Sequence, residues 1–438
     1  MITVFTTEIT NRLRYIFELY FEELLQVELN LTTNRDVFEQ AKGVRLNYSD
    51  QDFQSGQFNL KPHKLLFQKG LAYQNLSVVS CDENWCFFPA SSDSFLSFDP
   101  FAAGFFLVSR YEEYLERQFG KHRKYPHRHS ILYRNQLLQK PVVNQWAQMI
   151  ARKIRERVPE FPARLPAFDF LTTIDVDHAW AFKNNCWRRR TGAALMTLLS
   201  GNYRRIKERF RVLYGKEKDP FDTYDYIRQV YAGRNEYLHF FFLLGKPGKY
   251  DGNISPENEN LRQLVRELSK TYKLGIHPSY RSSRKKKELL REIETLEDIT
   301  GKPVVASRQH FLKLELPATY RRLIKAGIQT DYTMGYPDCP GFRAGIASPF
   351  YFYDLKQETI TSLRIVPFQV MDICLKDDLK LTPSQAGSEI EKIMLEIKKS
   401  GGSFISLWHN ESLSDQGTWN GWRMVFEQMT ELAIRLKE

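Results

Sequence analysis

The chain has 438 residues, a hydrophobic content of 42%, a charged content of 26% and a formal net charge of +11. This length provides for two or more domains with cores of their own, and the composition is that of a globular rather than a disordered protein. No uncharged stretch approaches the ~18 residues of a membrane-spanning helix, and no basic segment followed by an apolar run opens the chain, so we expect neither a membrane span nor a signal peptide.

The cysteines are odd in number and scattered, with no paired spacing of the kind that binds metals. They are Cys81, Cys86, Cys186, Cys339 and Cys374. We expect no zinc knuckle and no disulfide framework. Reduced, mostly buried thiols are typical of a cytoplasmic protein, so the sequence predicts a cytoplasmic location.

Basic residues are concentrated in three segments, 187–190, 203–211 and 281–291. No nucleic-acid-binding module accompanies them, so we expect no nucleic-acid partner. Two interpretations stay open: a solvated helix face, or peripheral contact with the anionic inner face of a membrane, since the apolar run 193–199 lies between two of the segments. The second interpretation predicts basic amphipathic helices over 185–215, beside the mouth of the active site.

The first part of the chain predicts a smaller α+β domain at about 1–160. Apolar residues at helical spacing and short β-like runs alternate in it. The predicted helices are 12–26, 100–117 and 143–158, and the predicted strands are 27–31, 43–48 and 76–80. Pro159, Pro162 and Pro166 mark the boundary that follows. This domain shows little chemistry in its sequence, and its role is unknown.

After the boundary, strand-like and helical segments alternate to the end of the chain. The predicted strands are 167–174, 236–244, 273–276, 303–308, 326–331, 363–370 and 403–408. The predicted helices are 221–232, 258–271, 284–298, 317–326 and 385–400. This alternation predicts an α/β barrel or a large parallel sheet over 167–438.

Two aspartates, Asp175 and Asp177, follow the first of these strands. In α/β folds the carboxyl ends of the strands carry the chemistry. A spacing of two directs both side chains to one face, where two carboxylates repel unless a cation or a proton lies between them. The alternative is a helix N-cap beside one solvated aspartate.

Three of the nine histidines, His277, His310 and His409, also come directly after separate β-like runs. One carboxylate and two imidazoles can hold a catalytic zinc ion and leave a position open for water. A second carboxylate can accept a proton from that water, and a further histidine can protonate the leaving group. The set therefore favours amide or ester hydrolysis at a metal site.

Four segments resemble, in order, the motifs of the polysaccharide deacetylases (carbohydrate esterase family 4). They are Thr-Ile-Asp-Val-Asp at 173–177, Gly-Ile-His-Pro-Ser at 275–279, Gly-Phe-Arg-Ala-Gly at 341–345 and Leu-Trp-His-Asn at 407–410. The resemblance covers 167–438 and implies a distorted (β/α)7 barrel. It also implies removal of N- or O-acetyl groups from an acetylated glycan or a lipid-linked oligosaccharide.

The resemblance and the chemistry together suggest a role for each candidate residue. Asp175 becomes the general base and His409 the general acid, while Arg343 orients Asp175 or binds substrate, with a structural ion pair as the alternative. The expected ligands of the metal are Asp177, His277 and His310. The expected substrate-binding residues are Ser279, Trp408 and Asp331, and Asp331 and Asp372 are also candidates for orienting His409 or Arg343. The expected cofactor is a divalent ion, zinc in the first place and cobalt or nickel otherwise.

Two departures from the family pattern bear on these roles. Val176 separates aspartates that are adjacent in the family, and Arg281 stands where the second motif has its second histidine. His310 is the expected replacement, and His178 is an alternative ligand. A catalytically silent barrel that binds a glycan or a partner protein is the second hypothesis, and metal uptake separates the two.

Overall fold

The computed structural model describes residues 1–53, 57–76, 78–81, 84–116, 118–184 and 203–438. The first part of the chain forms a parallel sheet in the order β2-β1-β3-β4 and an antiparallel hairpin, β5–β6. Its strands are β1 (Ile2–Phe5), β2 (Leu29–Thr32), β3 (Val44–Asn47), β4 (Phe58–Asn59), β5 (Val79–Cys81) and β6 (Asn84–Cys86). Strand β1 is buried at every position, because it lies inside the sheet and β2 and β4 are the edges.

Helices accompany this sheet, and the first two of them contact its strands. They are α1 (Asn11–Glu18), which continues as a π-helix over Leu19–Leu24, α2 (Arg35–Glu39), α3 (Pro100–Val108), α4 (Tyr111–Leu115), α5 (Ile131–Arg134) and α6 (Val142–Arg155). The carboxylate of Asp99 caps α3 by accepting hydrogen bonds from two backbone N–H groups of its first turn. The single helix predicted over 100–117 is divided, because Arg110 has a left-handed backbone with φ of 56°.

The second part of the chain forms a nine-stranded sheet in the order β12-β13-β11-β10-β9-β8-β7-β15-β14. Its strands are β7 (Phe168–Val176), β8 (Leu238–Phe242), β9 (Lys273–Ile276), β10 (Ala306–Ser307), β11 (Thr330–Asp331), β12 (Phe350–Asp354), β13 (Thr359–Ile365), β14 (Val370–Met371) and β15 (Gly402–His409). All neighbours are parallel except β12 and β13. Within the described ranges no pairing joins β12 to β14, so a closed (β/α)7 barrel is not observed.

The helices of the second part agree with the predicted alternation. They are α7 (Tyr203–Leu213), α8 (Tyr224–Val230), α9 (Glu259–Ser269), α10 (Lys286–Thr300), α11 (Ala318–Lys325), α12 (Pro383–Ser400) and α13 (Trp422–Lys437). Helix α13 and strand β12 were not predicted. The single strand predicted over 363–370 is wrong, because β13 ends at Ile365 and β14 begins at Val370 in another part of the sheet. Of the basic helices expected over 185–215, the segment 185–202 lies outside the described residues, and α7 is helical as expected.

The two parts of the chain share one hydrophobic core and are joined by main-chain hydrogen bonds. The N–H of Phe342 donates to the carbonyl of Leu138 at 2.7 Å, and the N–H of Val143 donates to the carbonyl of Gly345 at 2.9 Å. These bonds fix α6 and the chain before it against the loop that follows β11.

Two expectations from composition have structural outcomes. In the described part of the chain, no helix is both long and apolar enough to cross a bilayer.

Cys86 is disulfide-bonded, so the expectation of reduced thiols is wrong for this residue. It lies on the β5–β6 hairpin, a chain reversal that cysteine spacing does not reveal. Cys339 and Cys374 are free thiols.

Candidate metal centre and active site

Asp175 and Asp177 stand at the carboxyl end of β7, which lies between β8 and β15 in the sheet. The pairing places His409 of β15 directly beside Asp175. Asp175 is buried, with its side chain 2% exposed, whereas the side chain of Asp177 is 22% exposed. Side chains two residues apart on a strand share a face, so both carboxylates reach the same end of the sheet, as predicted.

The structure brings Asp177, His277 and His310 together, with one ligand atom from each lying within 4.8 Å of the others. The Nε2 atom of His277 is 3.2 Å from Oδ1 of Asp177, and Nε2 of His310 is 3.4 Å from Oδ2. These are the residues predicted as a metal triad, and they come from the ends of β7, β9 and β10. His178 lines the same pocket but is not part of the cluster.

Both imidazoles are oriented by hydrogen bonds at their other ring nitrogen. Nδ1 of His277 lies 2.6 Å from the carbonyl oxygen of Arg308, and Nδ1 of His310 lies 3.0 Å from Oδ1 of Asp251. Because a carbonyl and a carboxylate only accept hydrogen bonds, both Nδ1 atoms donate, and each neutral ring turns the lone pair of Nε2 into the cluster. Such outer partners are the usual support of metal-binding histidines. Sequence reasoning missed Asp251.

The surroundings of the Asp177 carboxylate indicate whether a cation fits this cluster. Its Oδ1 is buried and accepts no hydrogen bond among the described residues. Burial acts to raise the pKa of Asp177, but the nearby imidazoles of His310 and His277 outweigh it and hold that pKa well below its ordinary value. A carboxylate whose unsatisfied Oδ1 faces Nε2 of His277 and whose Oδ2 faces Nε2 of His310 is a donor set that suits a divalent ion such as zinc.

Protons compete with a metal for this set. Burial acts to lower the pKa of His310, but the carboxylates of Asp177 and Asp251 outweigh it and raise the pKa to about 9. A metal must therefore displace a proton from His310, so the affinity for the metal falls as the pH falls.

Asp175 is held by Arg308 rather than by Arg343. Nη1 of Arg308 donates to Oδ1 of Asp175 at 2.8 Å and to Oγ1 of Thr173 at 2.6 Å. Oδ2 of Asp175 lies 3.8 Å from Nε2 of His277, beside the metal ligands. One oxygen is thus anchored, and the other faces the cluster of Asp177, His277 and His310, which would hold a metal.

His409 and Asp372 form a second pair in the same pocket. Oδ1 of Asp372 lies 2.9 Å from Nδ1 of His409, and its Oδ2 accepts the backbone N–H of His409 at 2.7 Å. Burial acts to lower the pKa of His409, but Asp372, followed by Asp177 and Asp175, raises it to about 10. His409 therefore carries a proton and lines the pocket, and Asp372 orients it.

Arg343 does not reach Asp175. Its Nε and Nη2 donate to the two carboxylate oxygens of Glu113 at 2.8 and 2.7 Å, and Arg110 donates to the same carboxylate. All three side chains are buried. The position of Arg343 thus agrees with the alternative prediction, a structural ion pair. This ion pair with Glu113 joins the two parts of the chain.

The candidate substrate-binding residues do not line the pocket. Ser279 donates its hydroxyl to Glu292 at 2.6 Å, and Asp331 accepts hydrogen bonds from Ser307 and Thr333. Trp408 packs its ring against Phe426. Alternation along β15 explains the last placement, since Trp408 must face away from the side on which His409 lies.

The pocket has a volume of about 1010 Å³, and its floor includes Asp177, His277, His310 and His409. One wall of the pocket comes from the first part of the chain, through residues of the segment 118–129. Sequence reasoning found little chemistry there. Three histidines within eight residues, His122, His127 and His129, were a signal that could have found this wall.

One family model matches the first part of the chain. Residues 2–159 match the model of a family of unknown function, DUF7033. No curated protein matches the chain.

Solved structures that resemble the chain include two described as polysaccharide deacetylases. A putative polysaccharide deacetylase from Mycobacterium smegmatis is 16% identical, with 61% of this chain and 84% of that chain covered and a TM-score of 0.40. A probable polysaccharide deacetylase from Pseudomonas aeruginosa PAO1 is 10% identical, with 61% and 85% covered and a TM-score of 0.39. A mutant of BA3943, described as a CE4 family pseudoenzyme with restored enzymatic activity, is 10% identical, with 60% and 63% covered and a TM-score of 0.30. At these low scores the likenesses carry no argument about activity.

Proposed function

We propose that the protein is a metal-dependent hydrolase that removes N- or O-linked acetyl groups from a sugar of a polysaccharide or of its lipid-linked precursor. The observation that carries the proposal is the convergence of Asp177, His277 and His310 beside Asp175. A carboxylate and two imidazoles, both oriented through Nδ1, form a metal-binding set with room for further ligands.

The proposed mechanism assigns one proton transfer to each of two residues. A divalent ion, zinc by preference, supplies Lewis acidity and lowers the pKa of water when it is held by Asp177, His277 and His310. Asp175 accepts the proton of the attacking water at Oδ2, because Arg308 occupies Oδ1. His409, protonated and held by Asp372, donates its proton to the leaving nitrogen or oxygen of the sugar.

Acetate release tests the proposal directly. The purified protein would be stripped of metal, reconstituted with Zn²⁺, Co²⁺ or Ni²⁺, and incubated with a panel of N- and O-acetylated glycans. We expect acetate release that depends on the added metal and is lost in the Asp175→Asn variant. Stoichiometric metal uptake without release from any glycan would contradict the hydrolase.

A catalytically silent glycan-binding or partner-binding protein is the alternative function. Arg281, in place of a second histidine of the motif, is the observation that favours it. Metal content separates the two: about one ion per chain supports the hydrolase, and no uptake after reconstitution supports the silent protein.

We further propose peripheral contact of the protein with an anionic membrane face, the inner one if the protein acts in the cytoplasm; the disulfide bond of Cys86 removes reduced thiols as a reason for that location. Exposed aromatic side chains on and beside α7, Phe210 and Tyr214, lie near basic residues and support this proposal. Co-sedimentation with anionic vesicles at low and high salt tests it, since electrostatic contact must weaken as salt is added.

A further inference from the structure

Four aromatic side chains form a continuous wall beside the metal ligands. We call His122, Tyr250, Tyr280 and Phe311 the aromatic wall. The ring centroid of His122 lies 5.6 Å from that of Tyr250, 5.4 Å from that of Tyr280 and 5.0 Å from that of Phe311. His122, Tyr250 and Phe311 line the pocket, and Tyr250 is 39% exposed. The wall is therefore a partly open aromatic surface and not a closed core.

The wall is fixed in position relative to the metal ligands. Phe311 directly follows His310, and their ring centroids are 4.3 Å apart. Tyr250 directly precedes Asp251, whose Oδ1 accepts hydrogen bonds from the imidazole of His310 and from the backbone N–H of Tyr280. The carboxylate that orients a metal ligand thus also holds the wall beside it.

Two residues of the wall have left-handed backbone conformations. His122 has φ of 61° and Phe311 has φ of 59°. Left-handed conformations are uncommon for residues other than glycine and are a marked exception for a bulky aromatic one. Such outliers cluster at functional sites, where the surrounding structure maintains them. Here the two turns present both rings to one pocket.

The chemistry of an open aromatic surface beside a deacetylation centre points to a sugar ring. The C–H groups on one face of a pyranose are apolar and stack on aromatic rings, while its hydroxyl groups remain at the edges, in reach of water and polar side chains. Nδ1 of His122 and the hydroxyl of Tyr280 are joined by a hydrogen bond of 3.1 Å. This bond links His122, the one wall residue in the first part of the chain, to the wall residues of the second part.

We infer that the aromatic wall is a binding subsite for the sugar unit next to the acetylated one, so the substrate is an oligosaccharide or polymer rather than a monosaccharide. This inference rests on the proposed function. Because His122 belongs to the segment 118–129, the region of the chain with no assigned role takes part in selecting the substrate.

An array that carries acetylated monosaccharides beside oligosaccharides of the same sugars tests the subsite. The probe protein is the metal-loaded Asp175→Asn variant, which binds without turnover. We expect retention on oligosaccharides and little on the matched monosaccharides. Adding Tyr250→Ala should weaken retention on oligosaccharides roughly threefold to tenfold, the loss of one stacking contact. Tyr250→Trp should restore it, and Tyr73→Ala, at an 86% exposed tyrosine outside the pocket, is the matched control.

Each outcome of the array decides the subsite. Equal retention on monosaccharides and oligosaccharides, no retention on any glycan, or retention that Tyr250→Ala leaves unchanged would overturn it. Metal content is measured in every variant, so that a damaged metal centre is recognised. Retention on oligosaccharides without acetate release by the unmutated protein would contradict the hydrolase and leave the subsite standing. Acetate release that is independent of chain length would contradict the subsite alone.

Discussion

Arg308 and Asp175 form a buried ion pair, with 2.8 Å between Nη1 and Oδ1 and with the two side chains 0% and 2% exposed. The guanidinium supplies a buried carboxylate with an opposite charge and a hydrogen bond. It also fixes the orientation of the carboxylate: Oδ1 accepts the hydrogen bond from Arg308, and Oδ2 faces the metal ligands. Arg308 is therefore a positioning residue for the proposed general base.

Replacing Arg308 should destabilise the protein strongly. Arg308→Met leaves the buried carboxylate of Asp175 without its partner, and we expect the free energy of unfolding to fall by about 3–5 kcal/mol. The double variant Arg308→Met, Asp175→Asn should recover part of this loss, because it also removes the uncompensated charge. Chemical denaturation of the two single variants and the double variant measures the coupling. Purely additive losses would contradict the ion pair as described.

Substitutions of Asp175 and Asp177 should have different effects on metal binding and on activity. Asp177→Ala removes a ligand, so metal affinity should fall steeply and activity should partly return at high metal concentration. Asp175→Asn keeps the shape of the side chain but cannot accept a proton. It should retain metal and lose activity by roughly 10²–10⁴-fold. Metal analysis and acetate release measure both, and the opposite pattern would mean that Val176 has exchanged the two roles.

Asp251 should tune the metal site without touching the metal. Asp251→Asn weakens the partner of Nδ1 of His310, and we expect metal affinity to fall by about 10- to 100-fold. Competition with a fluorescent chelator measures the affinity. Asp331→Asn is the matched control, because Asp331 is also a buried carboxylate but bonds Ser307 and Thr333 instead. Equal effects of the two substitutions would contradict the role of Asp251.

The ion pair of Glu113 and Arg343 should contribute to stability in a pH-dependent way. Burial acts to raise the pKa of Glu113, but Arg343 and Arg110 hold it below its ordinary value of 4.5. The ionised carboxylate therefore stabilises the folded state above pH 4.5, and this contribution is lost as the pH falls through the lowered pKa.

Glu113→Gln tests this dependence by denaturation at several pH values. At neutral pH we expect the variant to be less stable by about 3–5 kcal/mol, since Arg343 loses a buried partner. Below pH 4.5 the difference from the unmutated protein should shrink, because protonation removes the same charge from Glu113. A difference that stays constant with pH would contradict an ionised Glu113. Metal affinity should not change in the variant.

The features that sequence reasoning predicted are those with a local signal. Strand ends, and the alternation of side chains along a strand, indicated that Asp175, Asp177, His277 and His310 would meet. The same alternation would have excluded Trp408 from the pocket once His409 was placed in it. The substrate-binding prediction for Trp408 did not apply this rule.

The features that were missed depend on contacts between distant parts of the chain. No local pattern indicates that Arg308, rather than Arg343, binds Asp175, or that Asp251 supports His310 across 59 positions. The contribution of His122 to the pocket depends on how the first part of the chain lies on the second. Such placements follow from packing and not from periodicity.

The pairing of Glu113 with Arg343 has a consequence for the order in which the chain is made. The partners are separated by 230 positions, so Glu113 leaves the ribosome roughly 10–50 s before Arg343, at ~5–20 residues per second. Leu138 is likewise made long before Phe342, which donates a hydrogen bond to its carbonyl. During translation the Glu113 carboxylate therefore has only Arg110 as an ion-pair partner, and the surface that the second part of the chain later covers is still exposed. Nascent chains stalled before residue 340 should accordingly be the form that chaperones bind and that aggregates.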